Sequence, residues 1–181
     1  REVDTNHIIF IEGNWWATDF TALTPPWDNN MVYSFHKYWN EISEASIRQY
    51  LDIRKTYSYP LWLGESGENS NPWFNHCVQL MEQNEIGWCW WTHKKIATTT
   101  SPYSSPITEN YQRILDYWNG DASRPSVDFA KAALLEMADM LKLENCQFRP
   151  DVLHSLFDKN FSTESKPYKA VSYTHLTLPT N

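Results

Sequence analysis

The sequence predicts an α/β architecture, a layered sheet or a barrel built on parallel strands, and three observations lead there. Short apolar runs recur along the chain, segments with helical apolar spacing lie between them, and those segments are long enough to act as crossovers between parallel strands. The first run, Ile8-Ile9-Phe10-Ile11, is closed by Gly13 and predicts a strand buried on both faces. Met31-Val32-Tyr33-Ser34-Phe35 follows a Pro-rich loop as a second strand. Leu61-Trp62-Leu63-Gly64 and Ile86-Gly87-Trp88-Cys89-Trp90-Trp91 predict a third and a fourth.

Between the second and third strands, Glu41 to Tyr57 pairs Ile47 with Leu51 and Ile53 with Tyr57 at i, i+4, the mark of an amphipathic helix. Between the third and fourth, Asn71 is placed to cap and Pro72 to start a helix that aligns Phe74, Cys77, Val78 and Met81 on one face. Downstream, Tyr111 to Trp118 predicts a short helix. Pro125 opens a stronger one with Val127, Ala130, Leu134, Met137, Ala138 and Leu141 on one side, and Asp151 to Phe157 adds another turn or two. A doubly wound open sheet satisfies the same alternation as a barrel, so the pattern alone leaves both open.

Composition narrows the function classes. With 15 Lys plus Arg against 22 Asp plus Glu, a formal charge of -7, the chain has no basic field for a phosphate backbone, and nucleic acid is not an expected partner. No apolar run approaches the roughly 20 residues of a membrane span. The aromatic content is high, at 15% with ten Trp, and so many indoles predict that some rings line a surface or cleft, where flat faces suit sugars. Cys77, Cys89 and Cys146 have no metal-finger spacing and the six histidines no H-E-x-x-H, so neither a catalytic metal nor a cofactor is indicated. The chain contains no G-x-G-x-x-G or Walker-type loop.

In a parallel α/β barrel the chemistry sits at the carboxyl ends of the strands. The polar residues there are Glu12 and Asn14, then His36 and Tyr38, then Glu65 with Glu68, then Trp91 with His93. Three motifs among them, Phe35-His36-Lys37-Tyr38-Trp39, Leu61-Trp62-Leu63-Gly64-Glu65 and Trp88-Cys89-Trp90-Trp91-Thr92, appear in an order that resembles glycoside hydrolase family 5, the cellulase-type retaining glycosidases. In that family the sixth barrel strand ends in His-x-Tyr, the seventh in Gly-Glu with the nucleophile, and the eighth in a Trp that floors a sugar subsite.

The resemblance implies an incomplete (β/α)8 TIM barrel comprising strands five to eight with their helices, followed by C-terminal helices. It implies Glu65 as catalytic nucleophile, with Tyr38 donating to it, His36 contacting the sugar or orienting its neighbours, and Trp91 stacking beneath a ring. Glu68 lies after Gly67 in the loop, which favours Glu65. The implied partner is a β-linked oligosaccharide or polysaccharide, glucan or mannan, and the implied location is outside the cell or at its surface. Retaining hydrolysis needs a second carboxyl group about 5–5.5 Å from the first. The family takes it from an Asn-Glu-Pro, and none occurs here.

The expected organisation is therefore the C-terminal half of a glycosidase barrel over residues 1–145, a post-barrel segment over 146–170, and a tail over 171–181. That tail resembles one translated frame of a transposase-type sequencing adapter. Half a barrel leaves two sheet edges unpaired, so such a fragment is expected to be marginal, oligomeric or aggregating. A non-catalytic carbohydrate-binding protein on the same scaffold is the rival expectation, one that keeps the aromatic rings and has no need of Glu65.

Overall fold

The computed structural model describes residues 2–159 and 161. The expected tail over 171–181 and residues 160 and 162–170 of the post-barrel segment lie outside the described residues. The chain divides into two units, one running to Trp91 together with Ser155–Phe161, the other comprising Thr92–His154.

In the first unit the apolar runs form four parallel strands, β1 (Ile9–Glu12), β2 (Met31–His36), β3 (Leu61–Glu65) and β4 (Gly87–Trp88). They lie in the order β1-β2-β3-β4. A doubly wound sheet reverses its strand order at a switch point. Here each new strand is added beside the last in one direction, which is how a barrel wall is wound, with β1 and β4 as the two edges.

Helix α1 (Glu44–Tyr57) connects β2 to β3, and α2 (Asn71–Gln83) connects β3 to β4. Both begin on serines. Ser43 and Ser70 sit in extended backbone and their hydroxyls accept from the N–H of Ser46 and Trp73, satisfying donors that a helix start leaves orphaned. The cap of α2 is thus one residue earlier than the expected Asn71, and α1 starts three residues later than Glu41, where Ser43 provides the cap.

Alternation sends Tyr33 and Phe35 of β2 and Leu61 and Leu63 of β3 to the helix side. There they join Ile47, Tyr50, Cys77, Leu80 and Met81 in one buried core. Phe35 stacks on Tyr50 with ring centroids 4.0 Å apart, and Phe20 meets Tyr50 edge-on at 5.8 Å. Asn75 of α2 is itself buried, and its amide donates to the carbonyl of Ser155 at 3.0 Å. The three cysteines are free.

β1 departs from its expected double burial. Ile9 and Ile11 are partly covered, but Ile8 and Phe10 on the opposite face are each 54% exposed. The reason is its edge position, with β2 as its strand partner and helices packed on the far side of the sheet alone. The fourth strand is shorter than its apolar run. Beyond Trp88 the pairing continues irregularly, through Cys89 N–H to the carbonyl of Leu63 and a bridge between Gly67 and Trp91.

The second unit holds a small sheet absent from the sequence expectations, made of β5 (Lys94–Ile96), β6 (Tyr103–Ser105) and β7 (Gln147–Phe148). Helices α3 (Glu109–Asn119) and α4 (Val127–Met140) accompany it, capped by Thr108 and Ser126. On α4 the expected apolar stripe is exposed at Val127 and Leu134, and the helix buries Met137 of that stripe together with Ala133. The last helix, α5, spans Pro150–Phe157. Among the described residues no helix is long and apolar enough to cross a membrane.

Candidate active site

The carboxyl ends of β1, β2 and β3 converge on a cleft of about 770 Å³ whose wall includes Trp15, Trp16, His36, Tyr38, Trp39, Glu65 and Glu68. How Glu65 comes to face it is not obvious from strand periodicity. Counting by twos from Leu61 and Leu63 sends Glu65 to the helix side of the sheet. The ladder, however, pairs Phe35 with Leu63 and then His36 with Glu65, skipping Gly64. This one-residue bulge, uncommon between parallel strands, re-aims Glu65 to the face that carries Ser34 and His36.

Glycine at the bulge is a steric requirement. A β-carbon at Gly64 would stand 2.1 Å from Ser34 Oγ and 3.0 Å from Glu12 Oε1. The space it leaves lets Ser34 Oγ donate to Glu12 Oε1 at 3.0 Å. His36 then lies between two carboxylates, with Nε2 at 3.1 Å from Glu12 Oε1 and Nδ1 at 3.6 Å from Glu65 Oε2. On the other side the Tyr38 hydroxyl donates a short hydrogen bond to Glu65 Oε1. Burial, and then that bond to Glu65, push the Tyr38 phenol far above its ordinary range, so it remains a donor across the working pH of proteins.

The loop that carries Tyr38 is pinned by Lys37, which is only 2% exposed. Its ammonium donates to Asn40 Oδ1 at 2.5 Å, the Glu41 carbonyl at 2.6 Å and Ser46 Oγ at 2.9 Å, and burial lowers its pKa. Sequence reasoning gave Lys37 no role, although Asn40 three residues on and the Ser43-x-x-Ser46 start of α1 are the available signal. Lys37→Met removes a buried ammonium and its three hydrogen bonds, and the expected destabilisation is about 1–3 kcal/mol, read as a lower urea midpoint. An unchanged midpoint would remove Lys37 from this account.

The tyrosines also set an alkaline limit. Burial raises the pKa of Tyr33 and Tyr38, and that of Tyr50 to about 12. In the unfolded chain these phenols ionise near ~10, so above that pH the folded state holds more protons. Their stabilising contribution is complete below about pH 10 and is lost as pH rises through the folded values. A phenolate absorbance titration followed beside circular dichroism is expected to show Tyr33, Tyr38 and Tyr50 ionising late, together with unfolding. Ten phenols titrating together with the helices intact would contradict this.

Of the residues singled out in the sequence, the structure brings His36, Tyr38 and Glu65 into contact. Trp91 stands apart from them, half-exposed, its N–H donating to the carbonyl of Ser66 at 2.6 Å and its own carbonyl packed on Gly67. Trp39 lines the cleft and its indole donates to the carbonyl of Glu68 at 3.3 Å. Cys89 donates to the carbonyl of Gly64 at 2.6 Å, and burial raises its pKa.

The wall beyond β1 is a left-handed turn. Trp15, Trp16 and Ala17 have φ of 52°, 54° and 57°, three consecutive residues in a region that costs an ordinary side chain roughly 1–2 kcal/mol each. The turn is closed by the Asn14 carbonyl, which accepts from Thr18 N–H and Asp19 N–H at 3.0 Å each, and by Asn14 N–H to the Asp19 carbonyl at 2.9 Å. Hydrogen bonds from the Thr21 hydroxyl and N–H lower the pKa of Asp19 and fix its side chain.

Comparison with known proteins decides the family. The description "Cellulase (glycosyl hydrolase family 5)" matches residues 1–95. The chain belongs to glycosyl hydrolase family 5. That match spans β1 to β4 and all the cleft residues named above. Among solved structures, this family 5 chain is similar to Cel5A of Thermotoga maritima in complex with mannotriose, at 19% identity and a TM-score of 0.42, over 50% of this chain and 42% of that one. It is also similar to an endo-β-1,4-glucanase of Xanthomonas axonopodis pv. citri, at 15% identity and a TM-score of 0.32, over 65% and 37% respectively. The chain thus spans less than half the length of these structures. No curated protein matches it significantly.

Proposed function

We propose that this chain carries the nucleophile side of a retaining glycosidase acting on β-linked glucan or mannan. The observation that supports the reading is the placement of Glu65. A bulge lifts its carboxylate into the cleft, Tyr38 holds one oxygen, and His36 flanks the other. Oε1 is taken by the Tyr38 hydroxyl, which leaves Oε2 as the attacking atom. In the first step Oε2 forms a bond to the anomeric carbon as the glycosidic C–O bond breaks, and a second carboxylic acid gives its proton to the leaving oxygen. In the second step water, deprotonated by that same carboxylate, releases the sugar and restores Glu65. We assign the second carboxyl group to an Asn-Glu-Pro outside the 181 residues, since none lies within them. The Thermotoga maritima structures in complex with mannotriose and with cellobiose suggest glucan and mannan as the first substrates to try.

A test that bypasses the missing acid uses 2,4-dinitrophenyl 2-deoxy-2-fluoro-β-cellobioside and its mannobioside counterpart. Their leaving group departs without protonation, and the fluorine slows release of the intermediate. Incubated with the 181-residue chain, one of them is expected to leave a glycosyl adduct on the peptide containing Glu65, found by mass spectrometry. An adduct on another carboxylate, or none while oligosaccharide still binds, would transfer the reading to a non-catalytic carbohydrate-binding protein.

A further inference from the structure

Glu12 is the carboxylate that the two-step reaction leaves unused. It ends β1 opposite Ser34 of β2, and it is not among the residues that line the cleft. Its Oε1 nevertheless lies 3.0 Å from Ser34 Oγ and 3.1 Å from His36 Nε2. Ser34 is only 2% exposed, and the β-carbon that Gly64 lacks leaves the room in which the serine and carboxylate oxygens meet. An ionised carboxylate only accepts hydrogen bonds, so each of its partners must bring a proton. For His36 this selects a tautomer.

With a proton held at Nε2, the neutral imidazole keeps its lone pair at Nδ1. Nδ1 is 3.6 Å from Glu65 Oε2, too long for a hydrogen bond yet beside the oxygen that attacks. Resting on the glycosidase reading, we infer that Glu12 is a positioning residue, holding His36 as the Nε2–H tautomer so that Nδ1 accepts from a hydroxyl of the sugar under attack. The hydroxyl adjacent to an anomeric carbon is the one on C2, and hydrogen bonds to it strengthen in the transition state. A C2 hydroxyl that donated to Oε2 would draw charge from the nucleophile. Nδ1 takes that bond instead and leaves Oε2 for carbon. Without Glu12 the proton can settle on Nδ1, which then offers the hydroxyl no acceptor.

The test has two arms. Nitrogen NMR of the His36 imidazole, at the alkaline plateau of its titration, is expected to show the proton on Nε2 in the 181-residue chain and a mixture of tautomers in Glu12→Ala. The half-exposed Glu12 side chain can be shortened without opening the core. A proton on Nδ1 in the parent would overturn the proposal with no appeal to activity. The second arm follows dinitrophenolate release from 2,4-dinitrophenyl β-cellobioside or mannobioside, whichever sugar labels Glu65. It is compared with labelling by the 2-fluoro counterpart, which has no C2 hydroxyl to donate. In Glu12→Ala the rate with the hydroxylated sugar is expected to fall about tenfold relative to the fluorinated one, the worth of one hydrogen bond. Glu12→Gln, whose amide oxygen can accept from both Ser34 and His36, should restore most of that loss. Equal losses with the two sugars would reduce Glu12 to a structural support. A Gln variant as slow as the Ala variant would mean that Glu12 supplies charge and not a tautomer. Either result overturns the assignment and leaves the glycosidase reading standing. If neither sugar labels Glu65, that reading and this one fall together.

Discussion

Glu65→Gln is expected to reduce labelling by the dinitrophenyl fluoroglycoside to background, a loss of more than a factor of ~1000, or about 4 kcal/mol of barrier. The amide keeps the size of the side chain and can still accept from the Tyr38 hydroxyl, so the cleft retains its shape while losing the charged oxygen that must bond to carbon. Oligosaccharide affinity should consequently survive. Tyr38→Phe separates positioning from nucleophilicity. Its hydroxyl draws charge from the carboxylate, which by itself would slow attack, so removing it has two opposed effects. The positional one should dominate. Without Tyr38, Oε1 loses its anchor, the carboxylate rotates away from His36, and a misplacement near 1 Å is enough for roughly a hundredfold. Labelling in Tyr38→Phe is expected to slow about 10–100-fold, with adducts still on Glu65. Rates equal to the parent would show that the short bond to Glu65 does not hold the attacking geometry.

Gly67→Ala is the substitution with the largest expected effect on folding. The residue sits at φ of 150° and pairs with Trp91, and a β-carbon there would be 1.9 Å from the Trp91 carbonyl oxygen. The obstacle is backbone, which cannot swing aside as a side chain can. Combining a strained dihedral with an overpacked contact, each about 1–3 kcal/mol, gives roughly 2–6 kcal/mol. Domains have only about 5–15 kcal/mol to lose. Urea denaturation is expected to show a sharply lower midpoint, and labelling of Glu65 to fall with it, since the Ser66 carbonyl that Trp91 holds follows directly on Glu65. A midpoint within error of the parent would mean that the β3–β4 junction has slack absent from this geometry.

Much of this architecture is legible in the residues. Four apolar runs become four strands in order, and the helical spacing between them becomes α1 and α2, because burial periodicity is a local effect, although the caps are Ser43 and Ser70 where Asn71 is the expected cap of α2. What escapes is non-local. Periodicity assigns Glu65 to the helix face, and the pairing of His36 with Glu65 across β2 and β3 is what reveals the bulge. Trp15-Trp16-Ala17 contains no turn-forming residue, so nothing in it announces a left-handed backbone. Lys94-Lys95 and Ser104-Ser105 carry no apolar run, yet they pair in β5 and β6, and β6 pairs in turn with Gln147 and Phe148 far along the chain. Phe10 looks like core by composition and is left uncovered by its place at the edge of the sheet.

The alternation along β2 and β3 divides the strands into two sets of positions that evolution or a protein engineer can vary separately. Tyr33, Phe35, Leu61 and Leu63 face the helices, so changes among them draw on the stability reserve. Val32, Ser34, His36 and Trp62 face the other way, and changes among them leave the helix-side packing in place. A combinatorial library confined to the second set would explore new ligands on an unaltered foundation. Glu65 joins the second set only through the skipped register at Gly64, so both residues stay fixed in such a library.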